Sequence, residues 1–438
     1  MPPPTPRPDG SAKMSEPNVT GTPSAPSGPS RSPSYRRVLA NPPFFRLWTA
    51  QLISQSGDYI FEVALLWLVL KLTGSPFEVA VIVTGTIIPG VLLGPFIGVY
   101  VDRWDRRRTL IATNVIQGVV IAGLSGLIVT GTEDLLGLFA VVLMLGAGAT
   151  TVRTATGAYV PSIVAVEDLP PANSLLSQSG SMNQIVGLSI GGVFVALLGV
   201  DLPIEYDALT FFAAAVLLLS LAPQPGTNPA LARPSPRPFR EEFSEGLTFI
   251  RTNRFMLELI VIGIIVNFFG IGIFALFAPY AAFVLHGGAA DYGALGASVA
   301  GGALAGALAI GRVDTRRTAG RYIFIGGVSI GIFILLVGVV HSLLPAIALM
   351  VGVGVTVSVT NLPISVVMQA KIPGTMLGRV GGTFGALILA TAPFGPLFAG
   401  WLAQRWSVSG VFVLSGLIIA VVLGLGALTM SSVRNVEY

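Results

Sequence analysis

Asp58 and Glu62 stand one helical turn apart in a stretch almost free of other charge, and Gln51 and Gln55 continue the same spacing of three and four residues toward the N-terminus. On a helix these four side chains form one polar stripe. A charge inside a membrane helix costs at least about 2.5–3.5 kcal/mol, so such a stripe faces a cavity or a partner and not lipid. The chemistry open to it is proton transfer, because one of two neighbouring carboxyls out of water can load and release a proton. Arg153 is the one basic residue inside an apolar stretch and the natural counter-charge. Its long side chain can bridge about one turn to Asp58, which leaves Glu62 as the titrating group. The structural alternative is a carboxyl pair satisfied by polar groups on neighbouring helices. Asn267, Asn361 and Gln369 offer further polar lining, whereas Glu258, near the end of its stretch, is expected at the interface.

Other site chemistry finds little support. There is no Cys, which removes thiolate nucleophiles, disulfides and thiolate metal ligands. Gly187–Gly191 and Gly327–Gly331 both read G-x-S-x-G, but a nucleophile elbow needs a strand, a sharp turn and a reachable His. Both matches lie inside apolar stretches, and the two histidines, His286 and His341, fall at stretch ends. No H-E-x-x-H, P-loop or dinucleotide fingerprint is present. The expectation is a protein that is no enzyme and carries neither cofactor nor metal.

The elements that must hold the stripe are membrane helices. Of 438 residues 53% are hydrophobic and 11% charged, against about 25% charged in an ordinary soluble domain. A mean hydropathy of +0.80 over this length makes lipid the solvent for much of the chain, since soluble cores stop growing at about 250–300 residues. Twelve stretches are long enough to cross a hydrocarbon core of about 30 Å, with approximate bounds of 47–72, 77–101, 109–131, 136–160, 172–200, 204–222, 255–285, 291–311, 321–341, 343–368, 377–404 and 408–430. The fold class is therefore all-α and membrane-spanning, in two six-helix bundles over 44–222 and 255–430. Residues 1–43, rich in Pro, Ser and Gly, are expected to be a disordered tail, with Met14 an alternative start. Residues 223–254 form a central loop ending in an amphipathic helix, where Phe243, Leu247 and Ile250 oppose Glu241, Glu242 and Glu245. Residues 431–438 are a second tail.

Orientation follows from the basic residues, which cytoplasmic segments retain. With the N-terminus inside, 22 of the 25 Lys and Arg fall in the termini and even-numbered loops, only Lys71 and Arg405 lie opposite, and Arg153 lies within a span. Both termini are thus expected in the cytoplasm. A basic face for nucleic acid would need these arginines on one soluble surface, so no nucleic acid partner is expected.

The two halves also repeat one another. Asp105-Arg106-Arg107-Arg108-Thr109 opens the third stretch, and Asp314-Thr315-Arg316-Arg317-Thr318 precedes the ninth. Gly187, Gly191 and Gly192 in the fifth have counterparts in Gly395, Pro396 and Gly400 in the eleventh. Gly98, Asp102, Arg103, Arg106 and Arg107 follow the second stretch. With these residues in a six-plus-six layout, the chain resembles the major facilitator superfamily, within it the efflux branch of the enterobactin exporter and macrolide efflux proteins. The resemblance covers nearly everything after the tail. Arg153 and Gly157 are similar to the superfamily's R-x-x-x-G element. The Gly187–Gly192 stretch is similar to its antiporter signature, with Leu188 where Pro is usual, and Asp105 stands where the loop motif has Gly. The resemblance implies that Gly98, Asp102 and the arginines secure a cytoplasmic gate; positive-inside anchoring is the alternative for the arginines, and close helix packing for the glycines. It further implies export of an amphipathic small molecule (drug, siderophore or related metabolite) across the cytoplasmic membrane by alternating access, as proton-coupled antiport. Import or uniport on the same fold, or a non-transporting receptor or scaffold, are the competing readings. Expected partners are that substrate, protons and membrane lipid, with the protein a monomer.

Overall fold

The computed structural model describes residues 1, 35–132, 134–221, 239–315, 317–374 and 376–436. After a short helix α1 (Tyr35–Leu39), the first half comprises α2 (Pro42–Thr73), α3 (Pro76–Arg103), α4 (Arg106–Thr130), α5 (Leu135–Ile163), α6 (Leu169–Leu198) and α7 (Asp201–Leu219). Helix α8 (Phe239–Thr252) leads into α9 (Arg254–Ala275), α10 (Phe277–Phe283), α11 (Ala289–Ile310), α12 (Ala319–Val339) and α13 (Leu343–Lys371). The second half ends with α14 (Leu377–Thr391), α15 (Phe394–Arg405), α16 (Val408–Thr429) and α17 (Ser431–Arg434). Among the described residues twelve spans are long and apolar enough to cross a membrane, α14 and α15 together making one. An even number of crossings puts both chain ends at one face of the bundle, the terminal face; the opposite face is the distal face.

Prolines explain two interruptions. Pro279 has no N–H to donate to the Ala275 carbonyl, and the seventh stretch breaks at Leu276, whose N–H turns back to Ile273 at 3.0 Å. Pro393 and Pro396 likewise deprive Leu389 and Ala392, and α14 gives way to α15 there. The read spans of 255–285 and 377–404 are thus each two helices.

Two further expectations are corrected, and the central helix gains a partner. Residues 2–34 lie outside the described residues, but the end of the proposed tail is helical: α1 buries Val38 against Phe44, Leu47 and Ala172, and Arg37 pairs with Asp168 at 3.3 Å. In the central loop, where 222–238 lie outside the described residues, α8 packs on α14. Its Glu245 accepts from Arg379 at 2.6 Å and its Gly246 abuts Arg379 and Thr383 of α14. Glu258 is buried instead of interfacial, paired with Arg254 at 3.0 Å and accepting the Val433 N–H of α17 at 3.0 Å.

The halves meet toward the distal face. Gly192 of α6 lies against the backbone of Ala289 and Ala290 at the start of α11, and Gly293 against Leu188 and Gly192. On the other side Gly400 of α15 sits on Phe77 and Ala80 of α3, Thr84 donates to the Pro393 carbonyl at 3.2 Å, and Ser75 to Gln404 at 3.1 Å. Toward the terminal face, Gly94 and Gly98 on α3, and Gly378, Gly381, Gly382 and Gly385 on α14, have open space where a side chain would project.

Candidate functional site: a carboxyl-lined cavity between the halves

The polar stripe of α2 divides by depth. Gln51 is buried and braces α5, its Nε2 donating to Thr156 Oγ1 at 3.2 Å while its Oε1 accepts from Gln55 at 3.3 Å. Gln55, Asp58 and Glu62 line a cavity of about 400 Å³ with Tyr59, Gln117 of α4, and apolar walls from Phe61, Leu65, Val142 and Leu145. Ile271 and Phe274 of α9 close it from the second half. The same two residues also face a cavity of about 320 Å³ within the second half, lined by Asn267, Thr360 and Asn361 among Val266, Ile330, Ile334 and Met350. A wall of two apolar side chains therefore stands between a carboxyl-bearing chamber and a mostly apolar one. Asn267 and Asn361 lie in the wall of this second chamber. Gln369 does not: it is exposed at the terminal end of α13 and borders neither chamber.

The expected ion pair between Asp58 and Arg153 is not among those the described residues form. Arg153 is exposed, with its guanidinium beside Gly90 of α3. The reason is rotational: axial height along two helices does not fix which faces they turn to one another.

In place of a cation, the structure puts a third carboxyl beside Asp58. Asp207 of α7 is wholly buried, its Oδ1 3.2 Å from the Thr210 hydroxyl, its Oδ2 with no hydrogen-bond partner. A Cβ on Gly57 of α2 would run into both Asp207 Oδ1 and Thr210 Oγ1, so glycine is what lets α2 and α7 approach here. Sequence reasoning missed Asp207 because the sixth stretch was begun at residue 204, which made it an end residue; α7 begins at Asp201, three residues earlier. It also missed Gln117, whose buried Oε1 has no partner, and Tyr292 of α11, whose buried hydroxyl has none and which lies within the field of Glu62 across the half–half boundary.

The loop after α3 is tied to its own half. Arg107 donates to the Leu218 and Leu219 carbonyls at 3.3 and 2.6 Å, capping α7, and Asp105 caps α4 by accepting the Arg108 N–H at 2.7 Å. Asp105 thus starts α4, which a glycine there could not do with a side chain. Gly98 faces open space, Arg103 is exposed, Arg106 Nε is buried without a partner, and the Asp102 side chain lies outside the described residues. The glycine motifs behave alike in the two halves. Gly187 and Gly191 admit Tyr59 and Ile60 of α2, as Gly395 admits Phe268 of α9, while Gly192 and Gly400 contact the opposite half. Pro396 is buried in the first turn of α15. Both G-x-S-x-G matches lie within unbroken helices, α6 and α12.

Two pseudo-symmetric six-helix halves around a cavity that both of them line define a multi-pass membrane transporter of the major facilitator fold. Residues 36–437 match the family described as transmembrane secretion effector, and the chain belongs to that family. It is 25% identical over 391 residues to macrolide efflux protein A of Streptococcus pyogenes, covering 86% of this chain and 93% of that one. To the multidrug efflux pump Tap of Mycobacterium bovis it is 24% identical over 418 residues, covering 90% and 95%. Among solved structures it resembles an inward-facing bacterial homologue of the human lysosomal transporter Spinster, with a TM-score of 0.69 at 13% identity over 91% of this chain and 98% of that one. The nucleoside transporter NupG gives 0.67 at 12% identity over 89% and 98%.

Proposed function

We propose that the protein exports an amphipathic small molecule across the cytoplasmic membrane by alternating access, exchanging it for protons, with both termini in the cytoplasm. The observation that carries this reading is the chamber in which Asp58 and Glu62 share walls with Ile271 and Phe274 of the other half. Relative movement of the halves must rearrange that chamber, so its occupancy and its charge bear on which state is favoured. The distal contacts close one end, and the arginine distribution makes the open, terminal end cytoplasmic; this conformation is then the one that loads substrate from inside. The names of the efflux relatives support export, and the adjoining chambers, one acidic and one apolar, suit a molecule with a polar end and an apolar body. Lacking a nucleotide motif, uphill export would draw on an ion gradient, where 100 mV supplies about 2.3 kcal/mol per charge.

Glu62→Gln tests the coupling. In proteoliposomes with a macrolide as probe, the variant is expected to lose pH-gradient-driven accumulation while keeping downhill exchange. Gradient-driven accumulation at the wild-type rate removes Glu62 from the mechanism.

A further inference from the structure

We propose that Asp207 is a further residue of the coupling site, sharing a proton with Asp58 across the α2–α7 contact from a position behind the cavity and closed to substrate. Its part in export rests on the reading above; the shared proton itself does not.

Charge accounting leads to it. An ionised Asp207 would keep one hydroxyl partner, Thr210, and an Oδ2 with none, in a position with no exposed surface. A carboxylate so placed needs a counter-charge, and the helices packed on α7 supply none. From α2 comes Asp58, next to Gly57, against whose α-carbon the Asp207 carboxyl packs. The only charged residues of α4 are the arginines of its first turn, at the terminal face, and α6 carries no titratable residue at all. On α7 itself Glu205 is engaged by Ser125 at 3.2 Å. Two neighbouring carboxyls without a cation each disfavour the other's ionisation, so at least one proton resides on the pair.

Independent support comes from Gln117. Its Oε1 is buried in the wall of the same cavity with no donor, although buried acceptors are almost always paired. A proton-bearing group in that cavity is what such an acceptor lacks. Asp207 does not line the chamber, whereas Asp58 does. In the proposed step the pair begins with a proton on each carboxyl: the Asp58 O–H bond breaks as its proton passes to the chamber, and the Asp207 O–H then donates to the Asp58 carboxylate. One proton stays shared between the two, and the pair gains one unit of negative charge. Substrate thus meets one carboxyl, and the second holds the proton where substrate cannot reach it.

Infrared spectroscopy of the full-length protein in lipid bilayer discs tests this without substrate, because a protonated carboxyl has a C=O stretch distinct from a carboxylate. The wild type is expected to show a protonated-carboxyl band that responds to pH. Asp207→Asn should remove one proton-binding step and move the remaining step by about one pH unit or more, as coupled groups require. Should that variant fail to insert, Thr210→Val keeps the carboxyl but removes its hydroxyl partner, and the band should shift in position and midpoint. An unshifted remaining step in Asp207→Asn, or an unmoved band in Thr210→Val, overturns the shared proton. Because Glu62→Gln is scored by transport and this pair by titration, the failure of one reading is distinguishable from the failure of the other.

Discussion

At the scale of single residues, Asp58 and Glu62 are legible from sequence because a charge in an apolar helix is costly enough to need a reason, and spacings of three and four fix one helix face. What they face was not legible. Arg153 has a suitable height and the wrong direction, whereas Asp207 is supplied by a helix whose start was read three residues late and whose rotation depends on Gly57. This changes what Asp58→Asn is expected to do. If Arg153 were its partner, the substitution would strand a buried guanidinium at a cost of about 3–5 kcal/mol. With Arg153 exposed beside Gly90, the variant should insert and unfold within about 1 kcal/mol of wild type, while the pH dependence of transport changes. A loss of stability of several kcal/mol, measured by thermal unfolding in detergent, would restore the ion pair.

At the scale of elements, the apolar stretches located the helices, and prolines already in the sequence account for the breaks at Leu276 and after Thr391 once the missing N–H donors are counted. Prolines alone do not decide it: Pro89, Pro95, Pro161 and Pro363 lie inside continuous helices. The repeated glycines were legible as packing positions, but not their division of labour, since neighbours on a helix point to different partners. Gly192 and Gly400 let α6 and α15 touch the opposite half, and Ser75 meets Gln404 at the rim of that contact. If this contact opens during each cycle, joining it must stop the cycle. The chain has no Cys, so Ser75→Cys with Gln404→Cys provides the only two thiols for a short, cleavable bifunctional reagent. Crosslinking should abolish transport, and cleavage should restore it. Undiminished transport by crosslinked protein would mean that the distal contact stays shut throughout.

At the scale of the whole molecule, twelve spans in two matching halves were legible because hydrocarbon thickness sets helix length and duplication leaves its motifs in place. Which face of the bundle is open was not, because one sequence must serve every state of the cycle; only coordinates show that the halves touch distally and part at the terminal face. Placing that bundle in a membrane calls on the sequence again. The 22 Lys and Arg assigned to the termini and even-numbered loops include Arg107 and Arg379, which the structure engages at the α3–α4 turn and at α8, both on the terminal face. In the proposed orientation, with positive charge retained on the cytoplasmic side, the open end is the cytoplasmic one. Thr132, past the end of α4, and Ser244, on α8, are both exposed and lie at opposite faces. A single cysteine at Thr132 should react with an impermeant thiol reagent applied to intact cells, and one at Ser244 should react only after the membrane is permeabilised. The reverse pattern would invert the orientation, turn the open chamber toward the outside, and make the conformation described one that loads substrate for import.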